Sequence, residues 1–206
     1  MTEADFPLLS LIITIPLLGA LLAGSIRNVD VAKQIAFFTA LITFVLTACA
    51  TLLFDADKSG FQLVERYDWI PLLKIEYLVG VDGISVLFLP MTGLLTIITM
   101  LASWSAISHS SRFHFSLLLA LESVSIGVFC ALDTVLFFLF WELTLPPFFF
   151  LIGLWGIGSQ RRSAAMKYTL FMLAGGVTLL LAIIVLATNH AKQIGGQIPN
   201  DLTLSL

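Results

Sequence analysis

Two glutamates interrupt otherwise apolar stretches of this sequence. Glu122 lies in the run 115–132 and Glu142 in the run 134–157, and neither run holds another charged residue. Ionisable side chains in the middle of a membrane span are costly and usually functional. Asp133 marks a tight turn between the runs, 11 residues after Glu122 and 9 before Glu142. At 1.5 Å per residue, both carboxyls therefore lie near mid-depth, roughly 16 and 13 Å from the same membrane face. Spacing alone leaves open whether they face each other.

A carboxyl group at such a depth suits proton transfer. Apolar surroundings favour its protonated, neutral form, whereas a neighbouring cation favours the charged form. Lys167 is the candidate cation, because it follows Arg161 and Arg162 and lies close to the last apolar run. The structural alternatives are that Lys167 extends to the lipid headgroups and that each glutamate is a hydrogen-bonded contact between helices.

Pro146 and Pro147 follow Glu142 by about one helical turn. Proline removes a backbone donor and clashes with the carbonyl four residues earlier, which for Pro146 belongs to Glu142. We expect a kinked or hydrated helix beside the acid. The alternative is that the packing of neighbouring helices simply accommodates the two prolines.

The elements that carry these residues are membrane helices. Hydrophobic residues make up 59% of the 206 residues, charged residues 11%, and the mean hydropathy is +1.03. Soluble domains are about a quarter charged, so this composition indicates an integral membrane protein. Spans need about 20 apolar residues, and six runs qualify: 6–26, 35–54, 83–104, 115–132, 134–157 and 168–187. The predicted fold is an all-α polytopic bundle of six transmembrane helices.

The chain divides into four predicted segments: helices 1 and 2 (1–54), a loop (55–82), helices 3 to 6 (83–188) and a polar tail (189–206). Apolar and polar residues alternate roughly over 62–70 of the loop, which favours a short β-hairpin. The N-terminal flank holds Glu3 and Asp5, unlike the basic flank of a signal peptide, so we expect a retained first helix. Six Lys and Arg residues in the odd-numbered loops, against four on the other side, predict that the loop and both termini are non-cytoplasmic.

Several functions have no support in the sequence. The net charge of −3 offers no basic face for nucleic acid. Cys49 and Cys130 lie in separate apolar runs and form no metal-binding spacing. The three histidines lie in loops or at span ends, and no nucleotide-binding motif is present. We therefore expect no cofactor and no metal site.

Several segments resemble the antiporter-like subunits of respiratory complex I, specifically chain 4 (subunit M). They are 81–85 (VDGIS), 131–133 (ALD), 140–144 (FWELT), 150–156 (FLIGLWG), 164–168 (AAMKY) and 174–176 (AGG). Residues 1–80 agree mainly in layout, including 63–67 (LVERY) before a tryptophan.

The resemblance implies a proton-translocating membrane-arm subunit of NADH:quinone oxidoreductase, in an energy-coupling membrane such as the bacterial inner membrane. It implies an essential role in proton transfer for Glu142, a place on the central polar axis for Lys167, and a less uniform role for Glu122. The implied partners are the lipid bilayer and the other membrane subunits of complex I, and electron transfer is performed by other subunits of that complex.

Members of that family have about fourteen helices, with two inverted repeats, and this sequence holds six. We therefore expect this chain alone not to form a complete channel, since ion sites lie between such repeats. Three explanations fit the smaller number of helices: a truncated product, a fragment, or a split subunit completed by a separate chain. The functional alternatives are a subunit of a cation/proton antiporter or membrane-bound hydrogenase, and a structural remnant that only packs against partners.

Overall fold

The computed structural model describes residues 6–58, 60–70 and 75–193. The helices are α1 (Leu8–Ser25), α2 (Val29–Leu53), α3 (Ser85–Ser103), α4 (Ser111–Cys130), α5 (Thr134–Leu143), α6 (Leu145–Trp155) and α7 (Arg161–Gln193). Two antiparallel strands, β1 (Gln62–Ile70) and β2 (Ile75–Val81), join α2 to α3.

Within the described residues, six helical segments are long and apolar enough to cross a membrane, which confirms the predicted fold class. The fifth span, Thr134–Trp155, consists of α5 and α6 with Thr144 between them. The predicted hairpin is present as β1 and β2. The predicted tail begins inside a helix, because α7 continues to Gln193. No glycine or proline follows Gly176 before that point, and both are poor helix formers. From residue 194 onward, the tail lies outside the described residues.

The span α4 is the most enclosed of the six, and α5–α6 and α7 are the least enclosed. On one side, Ser116 and Ser123 of α4 donate hydrogen bonds of 2.6 Å to carbonyl oxygens of α1. Such contacts bring membrane helices close together where apolar burial alone gives no preference for protein over lipid. On another side, Gly127 of α4 makes room for the ring of Phe140 on α5. The helix α4 thus joins the α1–α3 group to the broken span.

A buried glutamate attaches the hairpin to the bundle. Glu65 of β1 is 4% exposed, and its carboxylate accepts hydrogen bonds from the backbone N–H groups of Leu9 (2.6 Å) and Ser10 (3.2 Å). The Ser10 hydroxyl donates to the same carboxylate. The first N–H groups of a helix have no partner within the helix and carry partial positive charge. Glu65 therefore caps α1 from 55 residues away along the chain.

Removal of this cap should destabilise the protein strongly. We expect Glu65→Ala to lower the free energy of unfolding by about 2–3 kcal/mol, because it leaves buried backbone donors without an acceptor. The measurement is thermal unfolding of the purified protein in detergent, followed by circular dichroism.

Glu76→Ala, on the partner strand, is the matched control. Glu76 pairs with Arg66 through two contacts of 2.7 Å, and the side chains of Arg66 and Glu76 are 59% and 19% exposed. Exposed ion pairs contribute roughly 0–1 kcal/mol. Equal losses in the two variants would contradict the capping role of Glu65.

Candidate functional site

Glu142 lies in the last turn of α5, beside the break in the fifth span. Pro146 and Pro147 stand in the first turn of α6, where a helix tolerates residues without an N–H group. The same residues cannot donate backwards to continue α5. The last carbonyl groups of a helix carry partial negative charge, which favours a proton or a cation near Glu142.

The carboxyl group of Glu142 reaches the backbone of α7. Its Oε1 lies against Gly176 and has no hydrogen-bond partner in the described part of the chain. Beside it, a groove of about 420 Å³ is otherwise lined by Leu145, Pro146, Phe149, Phe150, Thr169 and Leu173. The Oγ1 atom of Thr169 is also buried without a described partner. The site therefore combines a carboxyl and a hydroxyl with unused hydrogen-bonding capacity in an apolar groove.

Glu122 occupies a different part of the bundle. It is 1% exposed, and neither of its oxygens has a hydrogen-bond partner among residues 6–58, 60–70 and 75–193. The helical repeat places it on the same face of α4 as Leu119 and Ile126. These two residues belong to core clusters that also contain residues of α1, α2 and α3. Glu122 therefore faces the α1–α3 side, and no described hydrogen bond or ion pair connects it to Glu142.

Lys167 is exposed on the outer face of α7. It precedes Gly176 by nine residues, about two and a half turns, which places the two residues on opposite faces of the helix. Within the described residues, Lys167 therefore does not meet Glu142. It lies about 9 Å along the helix from Arg161, deeper than the first charges of α7.

A second cavity, of about 250 Å³, lies between α4 and the α5–α7 group. Its lining includes the hydroxyl groups of Ser125, Thr144 and Tyr168. Thr144 Oγ1 donates to the Trp141 carbonyl oxygen (2.7 Å) and keeps acceptor capacity toward the cavity. Sequence reasoning missed these hydroxyls. The sequence signal for two of them is proximity alone, because Ser125 and Thr144 follow Glu122 and Glu142 by three and two residues.

His114, in the first turns of α4, is a further group that sequence reasoning left unused. Both of its ring nitrogens are buried without a described hydrogen-bond partner, and its ring packs edge-on against Trp155 at 4.8 Å. Among the described residues, no three His, Cys, Asp or Glu side chains form a cluster around it or elsewhere.

Asp133, between α4 and α5, is a structural carboxylate. It accepts hydrogen bonds of 2.9 Å from the backbone N–H groups of Val135 and Leu136 and so caps α5. Burial raises the pKa of Asp133, and these two hydrogen bonds oppose that rise. Asp133 thereby holds the start of α5 against the end of α4.

Comparison with known proteins matches the segment of the chain that carries Glu142 and α7. Residues 131–194 match the family model described as NADH:quinone oxidoreductase/Mrp antiporter, TM. The chain is 34% identical over 189 residues to F(420)H(2) dehydrogenase subunit M of Methanosarcina mazei, covering 92% of this chain and 38% of that protein. It is 36% identical over 201 residues to NAD(P)H-quinone oxidoreductase chain 4 of Synechococcus sp. strain WH7803, covering 96% and 35%. The chain thus spans little more than a third of the length of these relatives.

Solved structures share the fold. Respiratory complex I from Thermus thermophilus contains a chain that matches with a TM-score of 0.76 and 22% identity, covering 94% of this chain and 38% of that one. The membrane-bound sulfane sulfur reductase, an archaeal respiratory complex, gives a TM-score of 0.73 and 23% identity, covering 96% and 29%. Glu142, Lys167 and Gly176 all fall inside the range matched by the family model.

The carboxyl of Glu122, which has no hydrogen-bond partner among the described residues, leads to a stability prediction. Glu122→Met replaces it with an apolar side chain of similar length, so we expect the free energy of unfolding to rise by about 1–3 kcal/mol, the usual cost of an unsatisfied buried polar group. Thermal unfolding in detergent measures this change.

Glu65→Met is the comparison variant, because the Glu65 carboxylate is fully engaged at the start of α1. It should lower the melting temperature, whereas Glu122→Met should raise it. A lowered melting temperature for Glu122→Met would mean that its carboxyl is satisfied in the folded protein.

Proposed function

We propose that this chain is a proton-translocating membrane subunit of an NADH:quinone oxidoreductase, because residues 131–194 match the NADH:quinone oxidoreductase/Mrp antiporter family model and the chain is 34% and 36% identical to the two relatives described above. In this proposal Glu142 binds and releases the transported proton, and translocation is coupled to quinone reduction in other subunits. The observation that carries the proposal is the place of Glu142. Its carboxyl lies at a helix break within a membrane span, with Oε1 unpartnered among the described residues and a groove beside it.

The chemistry required of Glu142 is a reversible change of charge. In the apolar groove the neutral acid is favoured, and water or a cation that enters the groove favours release of the proton. The Thr169 hydroxyl, which lines the same groove, is a donor and acceptor able to pass hydrogen bonds along it. The break at Thr144 adds polar backbone next to the acid, which membrane helices tolerate where it lines a cavity.

Lys167 and Glu122 have secondary parts in this proposal. Lys167 carries charge on the outer face of α7, within the helical segment Arg161–His190 that is long and apolar enough to cross a membrane, where a cation requires a polar or acidic partner. We assign it to the path through contact with a neighbouring membrane segment. Glu122 is a second buried acid on the α1–α3 side of α4, able to hold a proton but without a connection to Glu142 among the described residues.

The protein is an integral membrane protein of an energy-coupling membrane. Its proposed partners are the other membrane subunits of the complex, with the hairpin and both ends of the chain on the non-cytoplasmic side. The support for this orientation is the excess of Lys and Arg in the odd-numbered loops.

A related antiporter subunit is the second candidate, since the matching family model also describes the Mrp antiporter. A chain of the Mrp complex from Dietzia sp. matches the fold with a TM-score of 0.67 and 21% identity, covering 92% of this chain and 20% of that one. Purification of the native assembly separates the candidates, because NADH oxidation by the purified complex supports the first and its absence supports the second.

We expect Glu142→Gln to abolish coupled turnover while the complex still assembles. The amide keeps the shape and hydrogen bonding of the acid but cannot titrate. Glu142→Asp should retain part of the activity, since it keeps the proton and shortens the reach, and Glu122→Gln should have a weaker effect. The measurements are quinone-reductase activity and proton pumping in membranes, with assembly followed on native gels. Normal pumping by Glu142→Gln would leave Glu142 as a packed polar contact and refute the proposal.

A further inference from the structure

The two adjacent glycines of α7 have different surroundings. A Cβ atom added to Gly176 would overlap Oε1 of Glu142 and lie 2.9 Å from its Cδ. A Cβ atom added to Gly175 would meet nothing within 4 Å. The pair therefore offers one position where a side chain displaces the acid and a neighbouring position where it does not.

Backbone conformation does not explain the glycine at 176. Among the described glycines, only Gly60 and Gly158 have a positive φ, and Gly176 has ordinary helical geometry. Glycine is a poorer helix former than alanine at such a position. The contact with Glu142 supplies the missing reason, because only a residue without a side chain leaves the carboxyl room against the helix.

The contact also places the acid on a defined face of α7. Thr169, Leu173 and Gly176 are four and three residues apart, so they share one face of the helix. Thr169 and Leu173 line the groove beside Glu142. The carboxyl is therefore held at the end of this face, in line with the buried hydroxyl of Thr169.

We propose that Gly176 is a positioning residue, which seats the Glu142 carboxyl against α7 in the geometry that proton transfer requires. This inference rests on the proposed function of Glu142. The overlapping atoms belong to the end of a flexible side chain, so alanine at 176 is accommodated by rotation of the carboxyl into the groove. The helices keep their packing, and only the acid moves.

The test uses the assembled membrane complex with Gly176→Ala, and with Gly175→Ala as the matched control. Three properties are measured: assembly on native gels, coupled proton pumping, and the rate at which dicyclohexylcarbodiimide modifies Glu142. This apolar reagent reacts with protonated carboxyl groups in membranes, and mass spectrometry of the peptide that contains Glu142 follows the modification.

For Gly176→Ala we expect normal assembly and pumping reduced about tenfold or more, since a displacement of about 1 Å can cost large factors in proton transfer. Modification of Glu142 should be accelerated about threefold or more, because the carboxyl has rotated into the groove. Gly175→Ala should match the parent in all three. The modification rate reports the position of the carboxyl directly, and a purely structural glycine would not change it.

Each other outcome overturns the inference. An unchanged modification rate means that the carboxyl did not move, and normal pumping with an altered rate means that its position is unimportant. Failed assembly of Gly176→Ala, or equal effects in Gly175→Ala, means that the glycine serves helix packing. Normal pumping by Glu142→Gln refutes the proposed function instead, and the modification rate still decides whether Gly176 seats the carboxyl.

Discussion

Pro146 and Pro147 cannot donate backbone hydrogen bonds, and this property shapes the half of the molecule that carries the candidate site. These residues interrupt the helical hydrogen-bond pattern of the fifth span, so α5 ends at Leu143 and α6 starts at Leu145, with Thr144 between them in a helical conformation. Glu142 thereby lies at a helix end, where polar backbone is tolerated inside a membrane only beside protein or a cavity. Here the neighbours are α7 on one side and the groove on the other.

Three buried or half-buried glutamates differ in their roles because their surroundings differ. Glu65 satisfies backbone donors at the start of α1 and holds the hairpin. Glu122 has no described partner for either oxygen, and Glu142 has none for Oε1. A carboxylate without partners is unfavourable in an apolar interior, and these two acids have hydrogen-bonding capacity that the described residues leave unused. Of these, Glu142 lines a groove, and it lies in the less enclosed part of the bundle.

The apolar runs were sufficient to predict six spans, and the alternation over 62–70 was sufficient to predict the hairpin, because both patterns are local. The contacts that place the functional groups are not local. Glu65 meets α1 across 55 residues, and Glu142 meets Gly176 through the packing of α7. Sequence spacing could have shown that Lys167 and Gly176 occupy opposite faces of α7, but not which of these faces the acid would contact.

Infrared difference spectroscopy of the assembled complex tests most directly whether Glu142 is a proton carrier. Spectra recorded before and during NADH-driven turnover reveal carboxyl groups that gain or lose a proton. We expect a change in the carbonyl band of a protonated carboxyl that is present in the parent complex and absent from Glu142→Gln. An identical difference spectrum in the two complexes would contradict the assignment of proton transfer to Glu142.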